Sequence, residues 1–200
     1  SSLAQAAYLA AELGQLLDTV ENEELSFDTL SALVPEEYAA HWQKTLDFLT
    51  IITEHFPQIL AERGYIDTAQ RRIKLLKMQN TAWQNRHSNG KIIIAGIPGG
   101  TPVVRQLIRT VSELDNGKVY LNGLDRWLDD DAWQQIDETH PQFETKRLLD
   151  DLGLERHQIP DLVSPDNPER EKLVSEIMRP AIATDRWREL NSRPFAPEAI

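Results

Sequence analysis

Along most of this chain apolar positions recur at intervals of three and four, the period of helices with one buried stripe. Leu3, Ala6, Ala7, Ala10, Leu13, Leu16, Leu17 and Val20 mark a helix over 2–21, with Glu21-Asn-Glu-Glu as its exit. Ser26 can cap a short helix reaching Val34, with Phe27, Leu30 and Leu33 inward. Pro35-Glu-Glu opens the next, with proline at the first position and acids in the first turn. Its stripe is Tyr38, Trp42, Leu46, Leu49, Ile52 and Phe56; Pro57 is expected to kink or break it, and Gly64 to close the short continuation. Asp67 caps a helix through about Arg86, with Ile73, Leu76 and Trp83 inward. Residues 1–88 therefore read as a helical subdomain, a bundle of four or five helices.

After the linker His87-Ser-Asn-Gly the period changes. Lys91–Ala95 is a β-branched apolar run, expected to be a fully buried parallel strand. Gly96-Ile-Pro-Gly-Gly-Thr-Pro is a dense turn signal, Thr101 can cap a helix, and Pro102 suits its first position. Val103, Val104, Leu107, Ile108 and Val111 share one face of that helix; Asn116-Gly117 ends it, and Val119-Tyr120-Leu121 is a second strand. Strand, helix, strand at this length predicts parallel neighbours with a right-handed crossover. Two strands alone make no stable sheet, so this one is expected to be completed from elsewhere.

Downstream, Asp129–Asp131 start a helix holding Trp133 and Ile136. Pro141 begins another through Phe143, Leu148, Leu149 and Leu152, ended by Gly153; Asn167 caps a helix from Pro168 to Met178, and Thr184–Leu190 forms one more. The expected organisation is a helical subdomain over 1–88, an α/β unit with following helices over 89–190, and a loose tail over 191–200. The fold class is mainly α with a small α/β unit.

Composition narrows the chemistry. With 40% hydrophobic residues the 200-residue chain can bury a core. It has no cysteine, which excludes disulfides, thiolate metal sites and a catalytic thiol, and fits a cytoplasmic location. No apolar run has the length of a membrane span, and no membrane partner is expected. The start at Ser1-Ser2, without methionine, reads as that of an excised or processed piece. Net charge is −11 and evenly spread, with 7 basic and 12 acidic side chains in the first ninety residues and 14 and 20 in the rest. Binding by broad phosphate neutralisation usually needs the opposite balance, so any nucleic-acid contact would be local. The one local basic cluster is Arg71, Arg72, Lys74 and Lys77, either a solvated helix face or a phosphate-contacting edge.

The loop Gly96–Thr101 lies where a strand feeds a helix N-terminus, and the amides of Gly99, Gly100 and Thr101 could receive an anion. It lacks the terminal Gly-Lys-Ser/Thr of a phosphate loop, and the pairs Gly90-Lys91 and Gly117-Lys118 precede strands instead. Gly123-Leu-Asp-Arg has the look of one nuclease motif, but no Asp-x-Lys strand follows, and Asp129–Asp131 are explained as first-turn acids. His41, His55, His87, His140 and His157 show no ligand spacing. Trp42 and Trp133 fit core positions better than base-stacking platforms. The residues compose no catalytic, cofactor or metal site.

Several segments nevertheless carry specific wording: Val34-Pro-Glu-Glu-Tyr-Ala-Ala-His-Trp-Gln-Lys-Thr-Leu-Asp-Phe-Leu, then Ile59-Leu-Ala-Glu-Arg-Gly, Ile93–Leu107, Val119–Trp133, His140-Pro-Gln-Phe with Lys146-Arg-Leu-Leu-Asp-Asp-Leu-Gly-Leu, and Met178-Arg-Pro-Ala with Thr184-Asp-Arg-Trp. In this order, over roughly residues 10 to 190, they resemble the helicase-like N-terminal part of the AddB family. AddB is one subunit of the AddAB helicase–nuclease, which resects DNA double-strand breaks for recombinational repair. The resemblance implies that 1–88 is an inserted helical subdomain and that Lys91–Asp125 belongs to a degenerate RecA-like sheet. In active helicases of that superfamily the strand aligned with Ile92–Gly96 ends in Asp-Glu, which holds Mg²⁺ and positions water. The matching positions here are Ala95 and Gly96, which can do neither. The implied role is a non-catalytic scaffold and DNA-channel element without its own cofactor. Its partner is an AddA-type helicase–nuclease subunit, with DNA bound through the full complex. The rival readings are a small-molecule enzyme that binds phosphate on the Gly96–Thr101 loop, and a protein-interaction module.

Overall fold

The computed structural model describes residues 2–27, 39–85 and 90–190. The proposed helix starts at Ser26 and Pro35, the linker residues His87–Asn89 and the tail 191–200 fall wholly or partly outside these ranges. The chain is mainly helical with one small parallel sheet. It divides into two compact units, Ser1–His87 with Thr101–Leu107, and Ser88–Gly100 with Ile108–Ile200. Among the described residues no helix is long and apolar enough to cross a membrane.

In the first unit α1 spans Leu3–Asn22, α2 Ala39–Thr50, α3 Phe56–Glu62 and α4 Thr68–Asn85. Ser2 and Gln5 close a reciprocal capping box at the start of α1. Of the expected α1 stripe only Leu17 is buried; Leu3 is 89% exposed and Leu16 41%. The stripe is amphipathic in sequence, but among the described residues no layer covers its first three turns, and the side-chain hydrogen bonds that tie α1 to α4, Gln70 to Glu21 and Arg72 to Asn22, lie near its C-terminal end. Pro57 does not break the helical path. A π-helical turn, Ile51–His55, precedes α3, and Phe56 donates to the Ile51 carbonyl. The wider turn accommodates a residue with no amide donor and a bulky ring. Gly64, at φ 66°, ends α3, with its own amide on the Ala61 carbonyl and that of Tyr65 on Leu60. Asp67 caps α4 by accepting the Ala69 amide at 2.7 Å.

In the second unit β1 (Ile92–Ala95) pairs in parallel with β2 (Gly117–Tyr120), Ile92 opposite Gly117 and Ala95 opposite Tyr120. Along the chain they are joined through α5 (Pro102–Glu113), of which residues up to Leu107 belong to the first unit and those from Ile108 to the second. The second strand thus begins two residues before the expected Val119 and ends before Leu121. Gly117 can start it because its backbone passes so close to α5 that a Cβ there would sit 1.8 Å from the Val111 carbonyl oxygen. The expectation of a fully buried strand fails. Only Ile94 of β1 is buried, and Ile93 is 59% exposed. The described sheet has two strands, and Ile93, Ala95, Lys118 and Tyr120 on one face are all exposed.

The helices that follow are α6 (Asp130–Gln134), α7 (Phe143–Leu152), α8 (Pro168–Ile177) and α9 (Trp187–Leu190). Asp129 and Asn167 cap α6 and α8 through the amides of Ala132 and Arg170. Gly153, left-handed at φ 67°, ends α7. Leu128, Ala132, Trp133, Ile136 and Leu149 form the core here, with Leu121, Leu124 and Phe143 against it. Pro141 sits in the turn before α7 rather than at its first position.

Candidate functional sites

The loop from β1 to α5 turns on three glycines with positive φ: Gly96 at 72°, Gly99 at 122° and Gly100 at 53°. The Gly96 amide extends the ladder to the Tyr120 carbonyl at 3.0 Å. Thr101 starts α5 through its carbonyl, which accepts the amides of Val104 and Arg105. Gly99 is buried, and Gly100 and Thr101 are half-buried. At the strand tip Ala95 and Gly96 present a methyl group and a hydrogen, neither of which can ligate a cation or accept a proton.

The basic cluster on α4 is divided by its neighbours. Arg72 and Lys77 flank the buried positions Ala69, Ile73 and Asn80 and turn back towards α1. The Arg72 guanidinium donates to the Asn22 side chain, and Lys77 pairs with Glu24. Arg71 and Lys74 are both exposed, and Lys74 stands beside Glu21 and Gln70 on the wall of the hollow between α1 and α4. Four consecutive-looking cations in sequence thus become two structural ties and two exposed charges.

Beside them the structure assembles carboxylates that sequence reading did not group. Asp18, Glu21 and Asp67 bring one oxygen each within 4.8 Å of one another. Gln70 Nε2 donates to Glu21 Oε1 at 2.7 Å. Burial pushes the Glu21 carboxyl above its ordinary range, helped by the Asp67 and Asp18 charges and opposed by Gln70. Three oxygens are well short of the about six to eight that Ca²⁺ takes. The missed signal is the spacing of Asp18 and Glu21 on one helical turn, which means nothing until Asp67 arrives from 46 positions along the chain.

The nuclease-like Gly123-Leu-Asp-Arg proves to be a structural node. Asp125 Oδ1 accepts the amides of Trp127 at 2.8 Å and Leu128 at 3.0 Å and the Ser175 hydroxyl at 2.9 Å. Arg126 pairs with Asp161 at 3.1 Å. Nearby, Arg179 is buried and makes a two-pronged contact with Glu176, at 2.9 and 2.6 Å, while its third nitrogen meets Asp129 at 2.6 Å. Arg186 meets the same Asp129 oxygen at 2.6 Å. Burial draws the Asp129 carboxyl upward, but the Ala132 amide and the two guanidiniums outweigh it and hold the group at about 2. Arg156, also buried, reaches Asp130 at 2.7 Å and lies 4.9 Å over the Trp133 ring.

Of the histidines, His140 bonds the Met178 carbonyl at 2.6 Å and accepts the Gln142 amide at 3.0 Å, and His157 stands 3.1 Å from Asp130. His55 is exposed, and the side chains of His41 and His87 lie outside the described residues. Trp133 is core, as expected, whereas Trp42 is only half-buried. Arg156 and Arg179 are the functional-looking residues that reading the sequence missed; Arg156 finds Asp130 26 positions away, and Arg179 joins its neighbour Glu176 to Asp129, 50 positions away. No protein-family model, curated protein or solved structure matches this chain.

Proposed function

We propose that this chain is a non-catalytic, helicase-like part of an AddB-type subunit of a cytoplasmic helicase–nuclease that resects DNA double-strand breaks. It acts as a scaffold for the AddA-type motor subunit and as a wall of the DNA channel, and its small parallel sheet is a remnant of a RecA-like one. The reading is carried by the ordered set of AddB-like segments. It is supported by the way three of them interlock. Gly123–Trp133, His140–Leu154 and Met178–Trp187 are tied by Gln142 to Gly123, His140 to Met178, and Arg179 and Arg186 to Asp129. Residues that could pass for catalytic motifs are thereby explained as joints between segments. Ala95 and Gly96 at the strand tip support the non-catalytic part.

Titration of the chain with ATP and Mg²⁺ should give no saturable binding and no turnover; micromolar affinity would overturn the reading. Binding to duplex DNA should be weak and fall steeply with salt. Charge reversal at Arg71 and Lys74 should abolish it, and unchanged affinity after that reversal would remove the DNA-channel role.

A further inference from the structure

Between α1, α3 and α4 lies a cavity of about 220 Å³ lined by Leu17, Phe56, Leu60, Tyr65 and Ile66, with Glu21 and Asp67 at one end. Among the described residues nothing fills the space beside its apolar wall, and Tyr65 and Ile66 at its rim are 68% and 42% exposed. At about 30 Å³ per water the space equals roughly seven waters, more than a bare ion needs and enough for a large side chain.

The polar end is unbalanced. Asp67 is engaged in capping α4, and one Glu21 oxygen is taken by Gln70. The other, Oε2, is buried and takes no hydrogen bond. Among the described residues no cation pairs with Asp18, Glu21 or Asp67. Lys77 is committed to Glu24 and Arg72 to Asn22, and among the described residues Lys74, on the cavity wall, makes no ion pair. Clustered carboxylates with one buried oxygen unmet carry a free-energy cost that a cation would relieve. A guanidinium suits them best, because its planar fork can meet two carboxylates together.

We propose that this cleft receives a segment of a partner protein that presents a large apolar side chain with an arginine or lysine next to it. The apolar group fills the hollow between Leu17, Phe56 and Leu60, and the cation meets Glu21, Asp67 and Asp18. This inference stands apart from the AddB reading, and the two can fail separately.

The test uses the whole isotope-labelled chain at low ionic strength, titrated with N-acetyl-Leu-Arg-amide and, in parallel, N-acetyl-Leu-Glu-amide. The arginine probe should shift the amide signals of Glu21, Tyr65, Ile66 and Gln70 saturably and bind about tenfold tighter or better, the size of one charge-assisted contact. Glu21→Gln should erase that preference. Tyr65→Ser, a change at an exposed position, should weaken the arginine probe while leaving the melting temperature in place. Equal affinity for the two probes, shifts confined to other residues, or equal binding of guanidinium or Ca²⁺ alone would each overturn the proposal.

Discussion

Gly117 and Arg179 each hold the second unit together through one atomic relation. A methyl group at Gly117 would meet the Val111 carbonyl oxygen at 1.8 Å, a clash with backbone that no rotamer relieves. Gly117→Ala should therefore destabilise the chain by roughly 1–3 kcal/mol, read from denaturant midpoints. Arg179 is buried against two carboxylates, so removing it strands Glu176, while Asp129 keeps Arg186 and the Ala132 amide. Arg179→Met should cost about 3–5 kcal/mol, the price of breaking a buried pair from one side. A loss under about 1 kcal/mol would show that water replaces the guanidinium there. Neither role is legible in the sequence. Gly117 reads there as a helix stop, and Arg179 is one of many arginines in an acidic chain.

At the scale of elements, starts and stops were legible where a cap and its target lie within a few residues. Asp67 and Asn167 cap helices as expected, through amides two or three positions ahead, and Ser2 and Asp129, which the sequence pattern places within their helices, do the same. Boundaries moved where a neighbour intervened, as at β2, and a turn absorbed what proline was expected to break. Burial was the least legible property. A three-isoleucine run predicts a covered strand, yet β1 has one bare face and carries neither a charge nor a proline to protect its edge. Ile93→Lys should leave the unfolding free energy within about 0.5 kcal/mol of the parent's, as for other exposed positions, and reduce association in sedimentation at high concentration. Loss of folding in that variant would mean that the face is covered after all.

The whole chain should show two opposite responses to acid, because its two notable carboxyl groups are perturbed in opposite senses. The folded Asp129 carboxyl, at about 2, lies below its ordinary 3.8, so its contribution is complete above that value and is lost as pH falls towards 2. With the group about one-third exposed, the effect is about 1–2 kcal/mol in the second unit. Glu21 is raised above 4.5, so its contribution is complete below that value and disappears as pH rises through the raised pKa. Hydrogen exchange across this range should show protection in α1 and α4 growing with mild acidification, and protection around α6 and α8 declining only in stronger acid. Parallel loss in both units would contradict the assignment.

The sequence by itself determined the helical class, the single strand–helix–strand unit, the caps at Asp67 and Asn167, and the absence of a ligating side chain at Ala95 and Gly96. These are local properties, decided by side chains within a turn or two of one another. Tertiary structure alone decided which apolar stripes are covered, which cations of α4 tie back to Asn22 and Glu24, and that Asp125, Asp129, Arg156 and Arg179 join distant segments. Asp129 and Arg179 lie 50 positions apart, as do Asp125 and Ser175. No period or spacing in a chain encodes so distant a meeting; only the packing of the helices between them does.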